Sequence, residues 1–341
     1  MRRRGSIVIV VAVVASILAA AATIPATATA AETPCHAMSL RGAQQGHSSS
    51  APPPAPALFP KDFPVVRDCE WGFRVGGWGG TKAGAPIKHV PIIFVHGNHS
   101  DAVDWFGVAD QAKTDLGYND QELYAISYNG LGGQVDGAPI ICPCPPSPRA
   151  VAYEQRPDVA GNLATAGQYA ANEVNVQDLY DFIHAVQRYT GSKRVEIVGH
   201  SLGVTIIRKT MFLHRELFRD VTAVVFIAGG NHGTTLCRGS ESTIYGCDEI
   251  GINTPWLREL NSLGTPGPTK YLTIYNGTND LDPFFDQGPT FDDRQSPSLA
   301  GAINLTFGDA YHSDLRVRPD IVTRYLDFLE ANGQLRGHHH P

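Results

Sequence analysis

The sequence predicts an α/β protein in which helices cover both faces of a mostly parallel, doubly wound sheet. Five apolar, β-branched runs have the character of buried strands, at residues 89–95, 122–127, 194–199, 221–228 and 271–276. Between the second and third of these runs, and again near the C-terminus, apolar residues recur at spacings of three and four, which is typical of a helix with one buried face. The clearest such stripe, in residues 170–189, consists of Val176, Leu179, Ile183 and Val186.

Composition is that of a globular chain. The 341 residues are 43% hydrophobic and 18% charged, which is enough to bury the core of one large or two ordinary domains. The net charge is −6, and it becomes more negative when the arginines at the N-terminus are left out. An acidic surface repels phosphate backbones, so nucleic-acid binding through bulk electrostatics is excluded.

The N-terminal segment predicts export. Three arginines precede an apolar run over residues 7–24, and Ala28 and Ala30 form the small-x-small pattern that signal peptidases accept. We therefore expect residues 1–30 to be a signal peptide and the mature protein to be secreted and extracellular. A retained membrane anchor is the other reading, because the run approaches the length that a bilayer requires. Residues 31–62 form a Ser/Pro/Ala-rich leader, residues 63–335 the folded domain and residues 336–341 a solvated tail.

Six cysteines follow the signal segment. An even number in an oxidising compartment favours disulfides, although fifteen pairings are possible. Proximity along the chain favours Cys237 with Cys247 and Cys35 with Cys69. The pair Cys142 and Cys144 has one intervening residue and no nearby histidine, which is weak evidence for zinc. The sequence therefore predicts no metal site.

The segment VEIVGHSLG, residues 195–203, carries the strongest chemical signal. A strand-like run leads directly into Gly199-His200-Ser201-Leu202-Gly203, and a helical stretch follows. A serine on so tight a strand-to-helix turn is lifted above the sheet, and only glycine at positions 199 and 203 avoids a steric clash. Ser201 is therefore the predicted nucleophile, and His200 is expected to be directed elsewhere by the turn.

A second apolar strand, PIIFVHGN at residues 91–98, ends where a main-chain amide could face a bound carbonyl. We expect the N–H groups of Asn98 and Leu202 to form an oxyanion hole beside the serine. His96 could serve as a base, but a structural role in bracing this loop is the preferred reading.

A serine nucleophile needs a base, which in the chain order Ser, acid, His must come late. His214 lies inside the helix after the serine, and His232 precedes any well-placed acid. His312 follows the apolar run 302–307 and precedes the last predicted helix, so it is placed at the active edge of the sheet. We therefore predict that His312 is the base.

The acid should follow the strand at residues 271–276. Asp280 and Asp282 both do so, and a carboxylate here could accept the Nδ1 proton of His312 and fix its tautomer. Asp280 is the first choice, with Asp282 left open as the other candidate.

Several segments together resemble one known group of enzymes. VHGN, GYNDQELYAISYNG, NVQDLYDFIHAVQRYTG, VEIVGHSLG, FIAGGNHGT and YHSDLR are similar to secreted bacterial α/β-hydrolases of the class 2 lipase group. They are also similar to lipase-like extracellular polyhydroxybutyrate depolymerases. The resemblance covers residues 90–329 and implies an α/β-hydrolase fold and ester hydrolysis. It places Ser201, Asp280 and His312 at the triad positions and Asn98 and Leu202 at the oxyanion hole. Residues 139–148 depart from the pattern.

We therefore expect a secreted serine carboxylic-ester hydrolase, a triacylglycerol lipase or esterase that acts through an acyl-enzyme and requires no cofactor. Its partners would be a lipid or other ester substrate, with contact to a lipid or polymer surface. The alternative is a polyester depolymerase that uses the same triad, and an acyltransferase would keep it as well. A non-catalytic binding protein on the same scaffold is the remote alternative.

Two long segments after predicted strands, residues 129–161 and 229–267, are candidate walls or lids of the site, because ligands bind at the carboxyl ends of parallel strands. In the second segment an apolar acyl pocket could be lined by Leu236, Ile250, Ile252, Trp256 and Leu257. These side chains could equally well pack the loop itself.

Overall fold

The computed structural model describes residues 59–64, 67–68, 73–74, 76–97, 100, 102–127, 171–238, 245–278, 280–286 and 295–333. These residues all belong to one compact unit of the chain. The predictions for the signal peptide, for Cys35–Cys69, for Cys142 and Cys144, for segment 129–161 and for the tail lie outside the described residues. Asn98 also lies outside them.

Seven strands form the main sheet, in the order β3-β5-β4-β6-β7-β8-β9. Strand β3 is antiparallel to β5, and every other neighbouring pair is parallel. A separate antiparallel pair, β1 with β2, precedes this sheet in the chain. The strands are β1 Arg67–Asp68, β2 Phe73–Arg74, β3 Gly76–Gly79, β4 Ile92–Val95, β5 Leu123–Ser127, β6 Val195–His200, β7 Val221–Ile227, β8 Lys270–Tyr275 and β9 Ile303–Thr306.

Helices cover both faces of this sheet. They are α1 Phe106–Leu116, α2 Ala171–Thr190, α3 Leu202–Leu213, α4 Leu217–Asp220, α5 Tyr245–Ile250, α6 Pro255–Asn261, α7 Asp314–Val317 and α8 Pro319–Asn332, with 3₁₀ turns at Ala102–Trp105 and Thr235–Cys237. Within the described ranges, no helix is long and apolar enough to cross a membrane.

The alternation of side chains along β4 produces two separate apolar layers. Ile93 and Val95 join the core cluster that includes α2 and α3, whereas Ile92 and Phe94 join the cluster that includes α1 and α8. Successive residues of a strand point to opposite faces, so a fully apolar strand is the expected signature of a sheet buried on both sides. The architecture confirms the predicted doubly wound class and is that of an α/β-hydrolase.

The five strands predicted from apolar runs are all present, with ends shifted by at most three residues. Strand β3 was not predicted, because its sequence GGWG lacks β-branched residues. Its glycines have a steric cause, since a Cβ at Gly77 would lie 2.0 Å from the carbonyl oxygen of Ala125 on β5. Helix α1 was not predicted either. Its buried face consists of the short side chains Val108, Ala109 and Ala112, which give little periodic signal.

Packing against the core reaches back into the predicted leader. The rings of Phe59 and Phe63 stack with centroids 4.3 Å apart, and Phe63 is buried. The Tyr189 hydroxyl on α2 donates a hydrogen bond of 2.8 Å to Asp62. The described core thus includes Phe59, four residues before the predicted domain boundary.

The chain reverses its direction of travel across the sheet between β4 and β6. From β4 it moves to β5 on one side and later returns to β6 on the other, where Val95 pairs with Gly199. The carboxyl ends of two such strands leave a crevice between diverging connections, which is where open α/β sheets bind ligands. The segments that follow β4 and β6 are therefore brought together at this point.

Two buried glutamates near the amino ends of β5 and β6 have pKa values shifted in opposite directions. Glu196 on β6 is fully buried, and burial raises the pKa of its carboxyl well above the ordinary value, an effect only partly offset by the hydroxyls of Thr222 and Tyr118. Glu122 is equally inaccessible to solvent. Burial alone would raise its pKa too, but main-chain N–H groups of Asn119 and His89 donate to the carboxylate and lower its pKa.

We predict opposite effects of amide substitution at these two positions. The raised pKa of Glu196 favours its protonated form in the folded state, so wild-type stability falls as pH rises above the unfolded pKa of about 4.5 towards the raised folded pKa. Glu196→Gln removes this loss, so it should be about as stable as wild type at pH 4 and more stable by about 1 kcal/mol or more at pH 8. Urea unfolding at both pH values measures the difference.

Glu122→Gln is the matched control. A lowered folded pKa contributes stability above the unfolded pKa that is lost as pH falls through the folded pKa. This variant should therefore be less stable than wild type at pH 8, with the difference narrowing at acidic pH. If both variants are more stable than wild type at pH 8, or both are less stable, the opposite pKa shifts assigned to Glu196 and Glu122 are wrong.

Candidate active site

Ser201 occupies the junction between β6 and α3 in a strained conformation. Its φ of 55° and ψ of −123° are uncommon for a residue with a side chain. The Ser201 N–H donates to the carbonyl oxygen of Ile227 on β7 at 2.8 Å, and the Ser201 carbonyl accepts from the N–H of Val204 at 3.1 Å. Sheet and helix together hold the backbone in this conformation, so the serine side chain is displayed at the carboxyl end of the sheet.

Three glycines surround this turn, and two of them lie too close to fixed atoms for a larger residue to fit. A Cβ at Gly203 would lie 2.4 Å from the carbonyl oxygen of His96, and one at Gly97 would lie 2.9 Å from the Cβ of Ser201. At Gly199 a Cβ would come within 2.3 Å of the Ile207 side chain. The close approach of the segments after β4 and β6 therefore requires glycine at positions 97 and 203.

His312 is paired with a buried carboxylate. Its Nδ1 lies 2.9 Å from Oδ1 of Asp282, whose side chain is fully buried, while the His312 side chain is 16% exposed. An ionised Asp282 accepts the Nδ1 proton, which leaves the lone pair on Nε2 of His312. The arrangement presents one basic nitrogen at the surface of the site.

The contact with Asp282 corrects the expectation that Asp280 is the partner of His312. Asp280 is exposed in the turn after β8, where water solvates its charge, whereas Asp282 lies two residues further on, where the chain is buried again. Both acids follow the same strand within one short turn. Spacing along the sequence cannot decide which of them points inward, so the sequence carried no signal to separate them.

His200 joins the serine strand to the His312 loop. Its Nε2 lies 3.0 Å from the carbonyl oxygen of His312, and the centroids of the two rings are 4.6 Å apart. His200 is the last residue of β6 and precedes Ser201 directly. The elbow thus directs the His200 ring onto the loop of the predicted base, and Ser201 and His312 lie at the same end of the sheet.

The segment after β4 lies against the elbow. His96 is buried, its Nδ1 lies 2.7 Å from the Gly97 carbonyl oxygen, and burial lowers its pKa to about 3. A histidine with so low a pKa is neutral at physiological pH and enclosed by protein, which agrees with the preferred structural reading. Leu202 is buried at the first position of α3, where helix N–H groups lack intrahelical partners.

The Lipase (class 2) family model matches residues 89–135 and 160–283, about half of the chain. The chain belongs to the class 2 lipase family. The matched residues include Ser201 and Asp282.

A relative and several solved structures of lipases and esterases are similar to this class 2 lipase family member. The triacylglycerol lipase of Pseudomonas fragi is 37% identical over 65 residues, which span 19% of this chain and only 21% of that enzyme. Lipase B of Aspergillus fumigatus superposes with a TM-score of 0.49 at 14% identity, covering 72% of this chain and 53% of that one. A lipase of Bacillus licheniformis superposes with a TM-score of 0.43 at 18% identity, covering 73% of this chain and 97% of that one. A carboxylesterase of Bacillus subtilis superposes with a TM-score of 0.40 at 15% identity, covering 76% of this chain and 93% of that one.

Three exposed apolar side chains lie on the loop of His312 or on the connected loops after β7 and β8 in this family member. We call Leu236, Phe284 and Tyr311 the apolar rim; they are 65%, 51% and 58% exposed. The Phe284 ring centroid lies 4.7 Å from that of His312. Thr234 connects the loops that carry the rim, because its hydroxyl donates to the Phe284 carbonyl at 2.7 Å and accepts from the Leu236 N–H at 3.2 Å. Apolar surface is thus accessible directly beside the imidazole.

The predicted disulfide between Cys237 and Cys247 is confirmed, with the two Cα atoms 5.2 Å apart. It links the turn Thr235–Cys237 to α5 and closes a loop of ten residues, which in chain-entropy models stabilises a fold by about 2–3 kcal/mol. Thr235 also hydrogen-bonds Asp286 at 2.6 Å. The loop after β7 is therefore held against the loop after β8.

Three of the five candidates for the acyl pocket after β7 separate into two groups. Leu236 lies in the apolar rim. Leu257 is almost fully buried against Gly233, and the Trp256 ring lies 4.9 Å from the ammonium group of Lys209 on α3. Leu257 and Trp256 thus pack the loop onto the body of the protein.

Proposed function

We propose that this protein is a secreted serine carboxylic-ester hydrolase, a triacylglycerol lipase or esterase that acts through an acyl-enzyme. The observation that carries the proposal is the pairing of His312 with the buried Asp282 on a loop bonded to His200, the residue before the strained Ser201. The proposed nucleophile, base and acid thus all follow strands at the carboxyl end of one sheet. Membership of the class 2 lipase family supports the same reaction type.

Asp282 and His312 would act as a unit. The buried carboxylate accepts the Nδ1–H of His312, so Nε2 is the atom available to take a proton. When His312 becomes imidazolium, the negative charge of Asp282 stabilises it at hydrogen-bond distance. The hydroxyl of Ser201 is a weak nucleophile until such a base removes its proton.

Acylation then follows by transfer of that proton. Ser201 Oγ forms a bond to the ester carbonyl carbon as Nε2 of His312 takes the hydroxyl proton. The oxyanion of the tetrahedral intermediate would accept hydrogen bonds from the main-chain N–H groups of Leu202 and Asn98. Collapse breaks the ester C–O bond, and the leaving alcohol takes the proton from His312.

Deacylation repeats these steps with water in place of Ser201. His312 takes one proton from water as its oxygen bonds to the acyl carbon, and Ser201 recovers a proton when the carboxylic acid leaves. The chemistry uses side chains, main-chain amides and water, so the proposal includes no cofactor and no metal.

The apolar rim supports a substrate with apolar chains. Phe284 exposes aromatic surface against His312, and Leu236 and Tyr311 are exposed on the connected loops, where an acyl chain or a leaving alcohol would lie. The same surface would contact a lipid or polymer interface. Parallel assays on triolein, short p-nitrophenyl esters and polyhydroxybutyrate films distinguish a lipase or esterase from a polyester depolymerase.

Secretion belongs to the same proposal. Residues 1–30 have the composition of a signal peptide, and the Cys237–Cys247 disulfide is of the kind that persists in oxidising compartments. Phosphate-rich partners are disfavoured by the net charge of −6.

We predict that Ser201 is the single residue labelled by a fluorophosphonate. Ser201→Ala removes the nucleophile, so it should lower ester hydrolysis at least about a thousandfold and abolish labelling. Peptide mapping by mass spectrometry locates the adduct, and thermal unfolding verifies that the variant is folded. An adduct at another serine, or hydrolysis unchanged in the folded variant, would end the proposal.

Asp282→Asn and Asp280→Asn form a matched pair that tests the acid. An amide at position 282 no longer accepts the Nδ1 proton in the required tautomer, so kcat should fall about a thousandfold or more. Asp280→Asn alters an exposed turn, and its kcat should stay within about twofold of wild type. Equal losses in both variants, or a greater loss at position 280, would contradict the assignment.

A further inference from the structure

His200 has a position that the chemistry above does not use. It is the last residue of β6, it is 5% exposed, and its Nε2 lies 3.0 Å from the main-chain oxygen of His312. The two residues are 112 positions apart in the chain, so this hydrogen bond joins two distant segments. The rings are also in contact, with a tilt of 52° between their planes.

The contact fixes the tautomer of His200. A carbonyl oxygen only accepts hydrogen bonds, so Nε2 must carry the proton and Nδ1 the lone pair. Burial, followed by the positive charges that His312 and Arg316 can carry, holds the pKa of His200 well below its usual range. The titratable groups that face this ring are His312, His96 and Arg316. His200 is therefore held as a neutral donor to the His312 carbonyl oxygen.

One hydrogen bond to the ring does not define where an imidazole lies. Asp282 holds His312 at Nδ1, but rotation about that bond and movement of the loop would still displace Nε2. On the other side of the loop, the Asn276 side chain donates to the carbonyl oxygen of Ala310 at 2.7 Å. The bond from His200 reaches the main chain of residue 312, whereas the bond from Asp282 reaches its ring.

We propose that His200 is a positioning residue that sets the place of His312 relative to Ser201 through its hydrogen bond to the His312 main chain. This inference rests on the proposed function, because it assigns His200 a role in placing the proposed base.

His200 and Ser201 are both fixed to the same strand of the sheet. His200 pairs with Ile227 on β7, and the N–H of Ser201 donates to the same residue. The donor that holds the His312 loop and the proposed nucleophile therefore share one rigid frame. Misplacement of a reacting group by about 1 Å costs up to about a hundredfold in rate.

Three variants test the role. His200→Leu keeps a similar volume without a donor, and His200→Gln keeps an amide N–H at a similar reach. We expect kcat for a p-nitrophenyl ester to fall roughly tenfold to a hundredfold in His200→Leu, with KM within about twofold. His200→Gln should recover most of this loss. His184→Gln, on the distant helix α2, controls for replacement of a histidine and should leave kcat unchanged.

A second readout does not depend on turnover. The proton between His312 Nδ1 and Asp282 should give a downfield ¹H resonance in wild type, assigned by its absence in Asp282→Asn. This resonance should persist in His200→Gln and broaden or vanish in His200→Leu. If His200→Leu does not fold, His200→Asn replaces it, because its amide is too short to reach the carbonyl.

The outcomes are distinct. A folded His200→Leu with wild-type kcat and an unchanged resonance overturns the inference, as does a folded His200→Gln that is as impaired as His200→Leu. Absence of the resonance in wild type overturns it too. If wild type hydrolyses no ester but the resonance changes as expected, the proposed function fails while the positioning of His312 by His200 holds.

Discussion

The strained backbone at Ser201 is the constraint on which the rest of the site depends. A residue with a side chain at a φ of 55° is stable only where its surroundings hold it, and here the N–H of Ser201 bonds to β7 while its carbonyl begins α3. The turn is so tight that Gly203 lies against the main chain of His96. The glycine at position 203 and the close approach of the two loops follow from fitting this turn into the sheet.

The other side of the site is assembled from loops. Asp282 follows β8 and His312 follows β9, and the Asn276 side chain joins these two connections through the carbonyl oxygen of Ala310. The buried carboxylate is stable because the imidazole compensates for its lost hydration. His200 then attaches the loop of His312 to the serine strand. The rigid sheet thus carries the serine, and a small set of hydrogen bonds brings the loop groups to it.

Much of this architecture could be predicted from sequence because the physics there is local. Apolar β-branched runs must be buried, and a glycine-flanked serine between a strand and a helix has few alternatives. Strand β3 was not predicted because its close contact with β5 requires glycine, and not a β-branched residue, at position 77. The preference for Asp280 over Asp282 as the partner of His312 was wrong because the path of the turn after β8 decides which of the two carboxylates is buried. The direction of the His200 ring depends on a segment 112 residues away, which no local pattern encodes.

The most direct test of the account is a crystal structure of the protein after reaction with an ethyl p-nitrophenyl alkylphosphonate, from which Ser201 would displace p-nitrophenolate. We predict a bond between phosphorus and Ser201 Oγ, with Nε2 of His312 within about 3 Å of a phosphonate alkoxy oxygen. The phosphoryl oxygen should face the main-chain N–H of Leu202. Phosphorus on any other residue, or a His312 ring turned away from the adduct and separated from Asp282, would contradict the account.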